Sequence, residues 1–257
     1  MPRTLHKTIL QAGIAGSFLF ASAVQAHFPW LAIPAFTPAE GKKVPIFFIY
    51  GHTFPIDTFL RKDRIVGLDM IMPDGTKTAL EMNESGYFDS PKLLSEGSYV
   101  FLGSQKDLFW TRTKNGNKSK SKEGLTDVIT CTHFTNSMKS ILNVGSGNGD
   151  IEKVYGQPLE IIPLKNPADL KIGDYMDIQV ILRGEPYNGL VFATYAGFGG
   201  SNVYAYTTTT DNEGKASIRM LSNGPWLIKV KAENHPYPDS KICDLEGHFS
   251  TLTFGIQ

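Results

Sequence analysis

Histidine and cysteine are scarce in this chain, and their placement singles out the few positions where metal or thiol chemistry is feasible. Beyond residue 26 there are five histidines, His27, His52, His133, His235 and His248, and two cysteines, Cys131 and Cys243. No two of these histidines have the spacing of a helical metal site, and no Cys-x-x-Cys, nucleophile elbow or glycine-rich phosphate loop occurs. Hydrolase and nucleotide-binding readings therefore have little to rest on.

His27 is distinctive because of what precedes it. Arg3 and Lys7 stand before an apolar stretch from Ile9 to Val24, with small residues Ala21, Ser22, Ala23 and Ala26 toward its end. That is the pattern of a signal peptide over residues 1–26. Val24-Gln25-Ala26 suits cleavage after Ala26, with a cut after Ala23 as the neighbouring alternative. The first cut makes His27 the mature terminus. A terminal histidine offers an α-amine and an imidazole Nδ1 that can close a six-membered chelate ring on one ion. The amine's ordinary pKa is about 7.7–8.0, so a divalent metal displaces its proton easily near neutrality. Nitrogen donors of this kind favour nickel and copper. Pro29 has no amide N–H, so backbone amides cannot wrap the ion past Phe28, and further ligands must come from elsewhere in the fold.

His52 is the expected next ligand. It follows an apolar strand in Tyr50-Gly51-His52-Thr53-Phe54, where Gly51 gives the backbone room. The alternative is a strand-end cap made by the same ring. His248, just ahead of the final strand, is the third metal-ligand candidate. His133 lies two residues after Cys131, so in a strand both share a face, and a structural role beside a disulfide is expected. His235, in Asn234-His235-Pro236-Tyr237-Pro238, reads as an inert turn residue. Cys131 and Cys243 are the disulfide candidates in an oxidising compartment, two free or metal-binding thiols being the alternative. Trp30, right after the terminus, is expected to pin it. Phe28, Phe36, Trp110 and Trp226 read as core.

The elements that must position these residues are strands. Short runs rich in Val, Ile, Phe, Tyr and Thr are divided by Gly, Asp, Asn and Pro, which predicts an all-β fold. Strands are expected at Pro45–Tyr50, Ile65–Met72, Lys77–Met82, Ser98–Gly103 and Leu108–Thr113, with Pro73-Asp74-Gly75-Thr76 closing a hairpin. The lysine-rich stretch from Arg112 to Gly124 reads as a solvated, mobile loop, and Val128–Val144 as strand. Gly145 to Asp150 carries three glycines in six residues and is the best linker. It divides a β domain over residues 27–150 from a second over residues 151–257. In the second, seven strands from Leu159 onward describe an immunoglobulin-like sandwich. The whole is two β-sandwich-like domains.

Composition excludes other classes. Cleavage removes Arg3 and Lys7, leaving 23 basic against 25 acidic residues, a formal charge of −2. So even a balance provides no footprint for nucleic acid. No later stretch reaches the roughly 18 apolar residues that span a bilayer, so no stable membrane insertion is expected after cleavage.

The segments His27-Phe28-Pro29-Trp30-Leu31, Tyr50-Gly51-His52-Thr53-Phe54-Pro55, Gly156 to Pro167, Gly173-Asp174, Gly184-Glu185-Pro186, Thr210 to Gly214 and Gly224-Pro225-Trp226-Leu227-Ile228 together resemble a bacterial periplasmic domain-of-unknown-function family. The resemblance spans nearly the whole mature chain. That family is described as the periplasmic component of a cobalt/nickel ABC-type transport system, which implies a membrane transporter of the metal-uptake type as partner. The expectation is thus a non-enzymatic periplasmic protein that binds nickel, cobalt or copper. The alternatives are a carbohydrate- or protein-binding envelope sandwich, and a copper monooxygenase-like enzyme with a histidine brace.

Overall fold

A computed structural model describes residues 27–257, and the signal peptide expected over residues 1–26 lies outside them. Among the described residues, eighteen strands and two single-turn 3-10 helices, Lys62–Arg64 and Pro167–Asp169, make up the regular structure. The first are β1 (Phe28–Ala32), β2 (Pro45–Gly51), β3 (Thr58–Phe59), β4 (Ile65–Ile71), β5 (Lys77–Leu80) and β6 (Phe88–Asp89). Next come β7 (Gly97–Gln105), β8 (Leu108–Thr113), β9 (Gly116–Lys118), β10 (Val128–Val144), β11 (Leu159–Pro163) and β12 (Tyr175–Leu182). The last are β13 (Glu185–Pro186), β14 (Leu190–Tyr195), β15 (Tyr206–Thr209), β16 (Lys215–Arg219), β17 (Gly224–Pro236) and β18 (Leu245–Ile256). The β architecture is the one expected, sandwich-like with open sheets.

The strands form three layers. A central ten-stranded sheet runs β15-β14-β17-β18-β10-β7-β4-β5, with β8 and β9 appended beside β10. One small sheet, β1-β2-β3 with β6 on β2, packs Leu31, Ile46 and Phe48 against Leu68, Phe101, Met138 and Leu142 of the central sheet. The other, β11-β12-β13 with β16 on β12, packs Ile161, Ile178 and Val180 against Ile141, Ile228, Leu252 and Phe254. Met138 and Ile141 differ in parity along β10, so the two cores lie on opposite faces of one sheet.

That sheet crosses the boundary expected near residue 150. β10 and β18 pair in parallel over nine residues, Thr132↔Leu245 to Ser140↔Thr253, fusing strands from both sides of Gly145–Asp150. The glycine-rich segment is itself tied down. Ser98 Oγ donates to Asn143 Oδ1 (2.7 Å) and lies 2.6 Å from the Gly147 carbonyl, and the Ser98 N–H donates to the Asn148 carbonyl (2.8 Å). Glycine is needed at Gly147 because its φ is +71° and an added Cβ would meet Ala168 Cβ at 2.6 Å.

The lysine-rich stretch also departs from expectation. β8 turns through Lys114-Asn115 into β9, pairing Thr113↔Gly116 and Thr111↔Lys118, so its first half is a hairpin. The charges face water while the backbone pairs. Cys131 and Cys243 are disulfide-bonded with Cα atoms 5.0 Å apart, clipping β10 to the segment entering β18.

Candidate functional site

His27 and His52 meet because of strand register. β1 pairs antiparallel with β2 in the register Phe28↔Gly51, so the residue before Phe28 lies across from the residue after Gly51. The two imidazole centroids are 4.2 Å apart, and His27 also stacks on Tyr50 at 4.9 Å with a 20° interplanar angle. His27 is exposed and His52 half-buried.

The segment at His27 is anchored from three directions. Trp30, 1% exposed, donates its Nε1–H to the Pro55 carbonyl at 2.8 Å. Thr251 and Thr253 of β18 donate their hydroxyls to the carbonyls of Pro29 (2.9 Å) and Leu31 (2.8 Å). Phe28 packs edge-on to Phe249 at 5.0 Å. The fixed entry expected of Trp30 is present, with the Thr pair beside it.

Asp57 organises the His52 turn. Its Oδ2 accepts the backbone N–H of His52 (2.8 Å) and of Thr53 (2.9 Å), and Oδ1 accepts from the Thr58 hydroxyl (3.2 Å). Those bonds, the His52 N–H first, hold its carboxyl below the ordinary carboxylate range. Gly51 is required here for a steric reason: a Cβ built on it would lie 2.2 Å from Asp57 Oδ2.

The second support of His52 comes from a loop 150 residues away. Asn202, with φ of +58°, donates its backbone N–H to the His52 carbonyl (3.2 Å), and its Oδ1 is 3.1 Å from His52 Nδ1. Asn202 Nδ2 donates to Ser201 Oγ and Tyr204 donates its hydroxyl to Asn202 Oδ1, which fixes the amide orientation. An amide oxygen only accepts, so His52 donates from Nδ1 and keeps its lone pair on Nε2. An outer hydrogen bond of this kind sets the ring orientation of a metal-ligating histidine. Partial burial, then the neighbouring His52, lowers the His27 pKa, with Asp57 opposing; the neutral, ligating form is thereby favoured.

Beneath the pair, Lys229 is 5% exposed, with its Nζ 3.9 Å from the Phe28 ring centroid and 4.4 Å from that of Tyr204. Burial, then Lys231, depresses its pKa to about 8. Lys229 and His52 both line a small recess under the Gly199-Gly200 loop.

His248 lies apart from the other two candidates. Residues 249, 251 and 253 of β18 carry the contacts to β1, so by strand alternation His248 points to the opposite face. It lies buried there, its Nδ1 2.6 Å from Thr135 Oγ1, and does not join His27 and His52. His133 donates Nε2–H to Asp107 at 3.1 Å and stacks near Phe109, consistent with structural use. Among the described residues no three His, Cys, Asp or Glu side chains gather as a metal cluster.

Asp57 and Asn202 had no reading from sequence, and the alternation Ile228, Val230 against Lys229, Lys231 put Lys229 on a wet face, whereas it is buried. Asp57 had a signal, an acceptor five residues after His52 in a proline-containing turn. Asn202 had none, because only the tertiary fold brings it near.

Comparison with known proteins adds a family. No curated protein matches the chain. Among solved structures, a Salmonella alpha-2-macroglobulin mutant is 14% identical, with a TM-score of 0.24 over 88% of this chain and 15% of that one. Murine CEACAM1b is 8% identical, with a TM-score of 0.21 over 90% and 98% of the two chains. Escherichia coli alpha-2-macroglobulin activated by porcine elastase is 12% identical, with a TM-score of 0.24 over 90% and 20%. The chain spans a fifth or less of these macroglobulins, and likenesses so slight carry no functional weight. Residues 24–234 match the description "Domain of unknown function (DUF4198)", and with more than half of its length so matched the chain belongs to that family.

Proposed function

We propose that this protein binds a divalent transition metal, nickel, cobalt or copper, in the periplasm and passes it to a membrane transporter of the metal-uptake type. The observation that carries this reading is the register of β1 on β2, which sets His27 beside His52 with ring centroids 4.2 Å apart. With cleavage after Ala26, the α-amine, His27 Nδ1 and His52 Nε2 supply three nitrogens. The amine is needed, since no cluster of three ligating side chains exists among the described residues. Asp57 lies beside the site as an ionised carboxylate already engaged by backbone N–H groups, so it adds negative potential and leaves the nitrogens as donors.

Other features support the same reading. The Cys131–Cys243 disulfide suits an oxidising compartment, as does the signal peptide read from residues 1–26. No helix among the described residues is long and apolar enough to cross a membrane. A three-nitrogen set at an exposed strand end suits capture and release better than permanent retention. The resemblance described above supplies the association with nickel and cobalt uptake.

Equilibrium dialysis of protein processed to begin at His27, against the same protein carrying one extra residue ahead of it, tests the proposal. Nickel or copper binding should weaken at least tenfold in the extended form. Equal binding by both forms removes the terminal chelate, and no binding by either removes the function.

A further inference from the structure

A second candidate site lies on the face of β18 away from His27. Here β10, β18, the β12–β13 turn and the segment after β17 enclose a cleft of about 680 Å3, within the roughly 300–1,000 Å3 of small-molecule sites. His248 lines it with a side chain only 3% exposed, and its Nε2 has no hydrogen-bond partner; Glu246 Oε1 is 3.7 Å away, beyond bonding range. Gln157, also lining the cleft, spends Nε2 on the Met138 carbonyl and leaves Oε1 unpartnered. Buried polar atoms are nearly always satisfied, so two orphans beside one cleft mark hydrogen-bonding capacity that a bound molecule can use.

The rim has been shaped at a conformational cost. Leu182 pairs with Glu185, so Arg183-Gly184 is a two-residue turn with φ of +54° and +87°. Asparagine or glycine ordinarily takes the first of these positions. Arginine there directs its guanidinium onto the buried Glu246 carboxylate. The pair cancels its own charge, so the mostly apolar cleft carries a polar edge without a net attraction for an anion or a cation. Tyr237 supplies a half-buried ring, braced edge-on by His133 at 5.2 Å, and Pro158 and Pro238 add apolar surface beside it.

We infer that this cleft is a binding site for a neutral saccharide of a few units. Sugar hydroxyls donate and accept, so one ligand can satisfy both the Gln157 oxygen and His248 Nε2, and reach the free N–H groups of Arg183. A pyranose ring has one apolar face, which fits the Tyr237 and proline wall. The site is independent of the proposed metal function.

The test is saturation-transfer NMR with isothermal titration on processed, chelator-treated protein, using maltotriose, cellotriose and chitotriose as probes and trialanine as the rival class. At least one trisaccharide should bind in the micromolar to millimolar range. Tyr237→Ala and Gln157→Ala should each weaken it tenfold or more, and Tyr237→Phe should retain it. His52→Ala should leave saccharide binding unchanged, which separates this site from the metal reading. Absence of binding by all three trisaccharides, binding of trialanine instead, or saccharide binding indifferent to both alanine variants overturns the inference.

Discussion

The histidines of the described residues gather at two places, and the two use imidazole in opposite ways. At the β1–β2 end, His27 is exposed and His52 half-buried, and outer partners orient the ring of His52 so that Nε2 keeps its lone pair. On the far face of β18, His248 is enclosed, with Thr135 on one nitrogen and a buried carboxylate near the other. An accessible, oriented nitrogen can take a ligand from solvent. A buried one must be satisfied by the fold or by something that enters it.

The largest effect expected on this contrast comes from the covalent clip. Cys131→Ser with Cys243→Ser removes a link between positions 112 apart, for which about 2–5 kcal/mol of stability is expected to be lost. Because the bond ties β10 to the approach to β18, hydrogen exchange should rise first around Thr132–Thr135 and Leu245–His248. The His27 end rests on Trp30, Thr251 and Thr253, and its protection should change least. Uniform loss of protection at both ends would show that the two regions are one cooperative unit.

Metal affinity separates the sites next. Asn202→Ala, which frees the ring without removing it, should weaken nickel or copper binding about 10–100-fold, and His52→Ala by more. His248→Ala should leave metal binding where it was. Competition titration against a coloured chelator reads all three, and parity between His52→Ala and His248→Ala would erase the distinction.

Lys229 gives a smaller effect, tied to the first site. Its pKa is depressed to about 8 from the ordinary lysine value, so the folded state pays for holding an ammonium between Phe28 and Tyr204. That cost is fully present below about pH 8, falls as pH rises toward the unfolded lysine value near 10.4, and is absent above it. Lys229→Met should therefore raise stability at pH 7 by about 1–2 kcal/mol, the cation–π contacts offsetting part of the gain. Urea unfolding at pH 7 and pH 10 should show the advantage shrinking at the higher pH.

Much of the fold was legible because the strands are locally regular. The run Ile65–Met72 and the turn at Pro73-Asp74-Gly75-Thr76 are short-range signals, and both elements form where expected. β1 was not read as a strand because Phe28–Ala32 is buried throughout and contains proline, which erases alternation. The continuous central sheet was illegible for another reason. β10 and β18 are parallel partners more than a hundred residues apart, and no local pattern announces such a pair. The same limit governs the candidate site. His27 and His52 were readable as residue types, but their meeting depends on register. Where His248 falls was not readable, because the face a strand residue occupies depends on its sheet partners.

The smallest effect, a pH dependence, falls on the second site. Burial holds the His248 pKa below the ordinary histidine value; Glu246 opposes that shift, while Arg183 and His235 reinforce it. In the unfolded chain the ring titrates near 6.5, so below that pH the unfolded state binds a proton that the folded state resists. Stability contributed by neutral His248 is therefore complete above about pH 6.5 and is lost as pH falls toward the depressed folded value. Between pH 7.5 and 5.5 the wild-type protein should lose about 1 kcal/mol more than His248→Gln, read as the difference in urea unfolding free energy. The exposed His27 should give no comparable step when replaced by glutamine. A step at His27 and none at His248 would reverse the assignment of which imidazole the fold encloses.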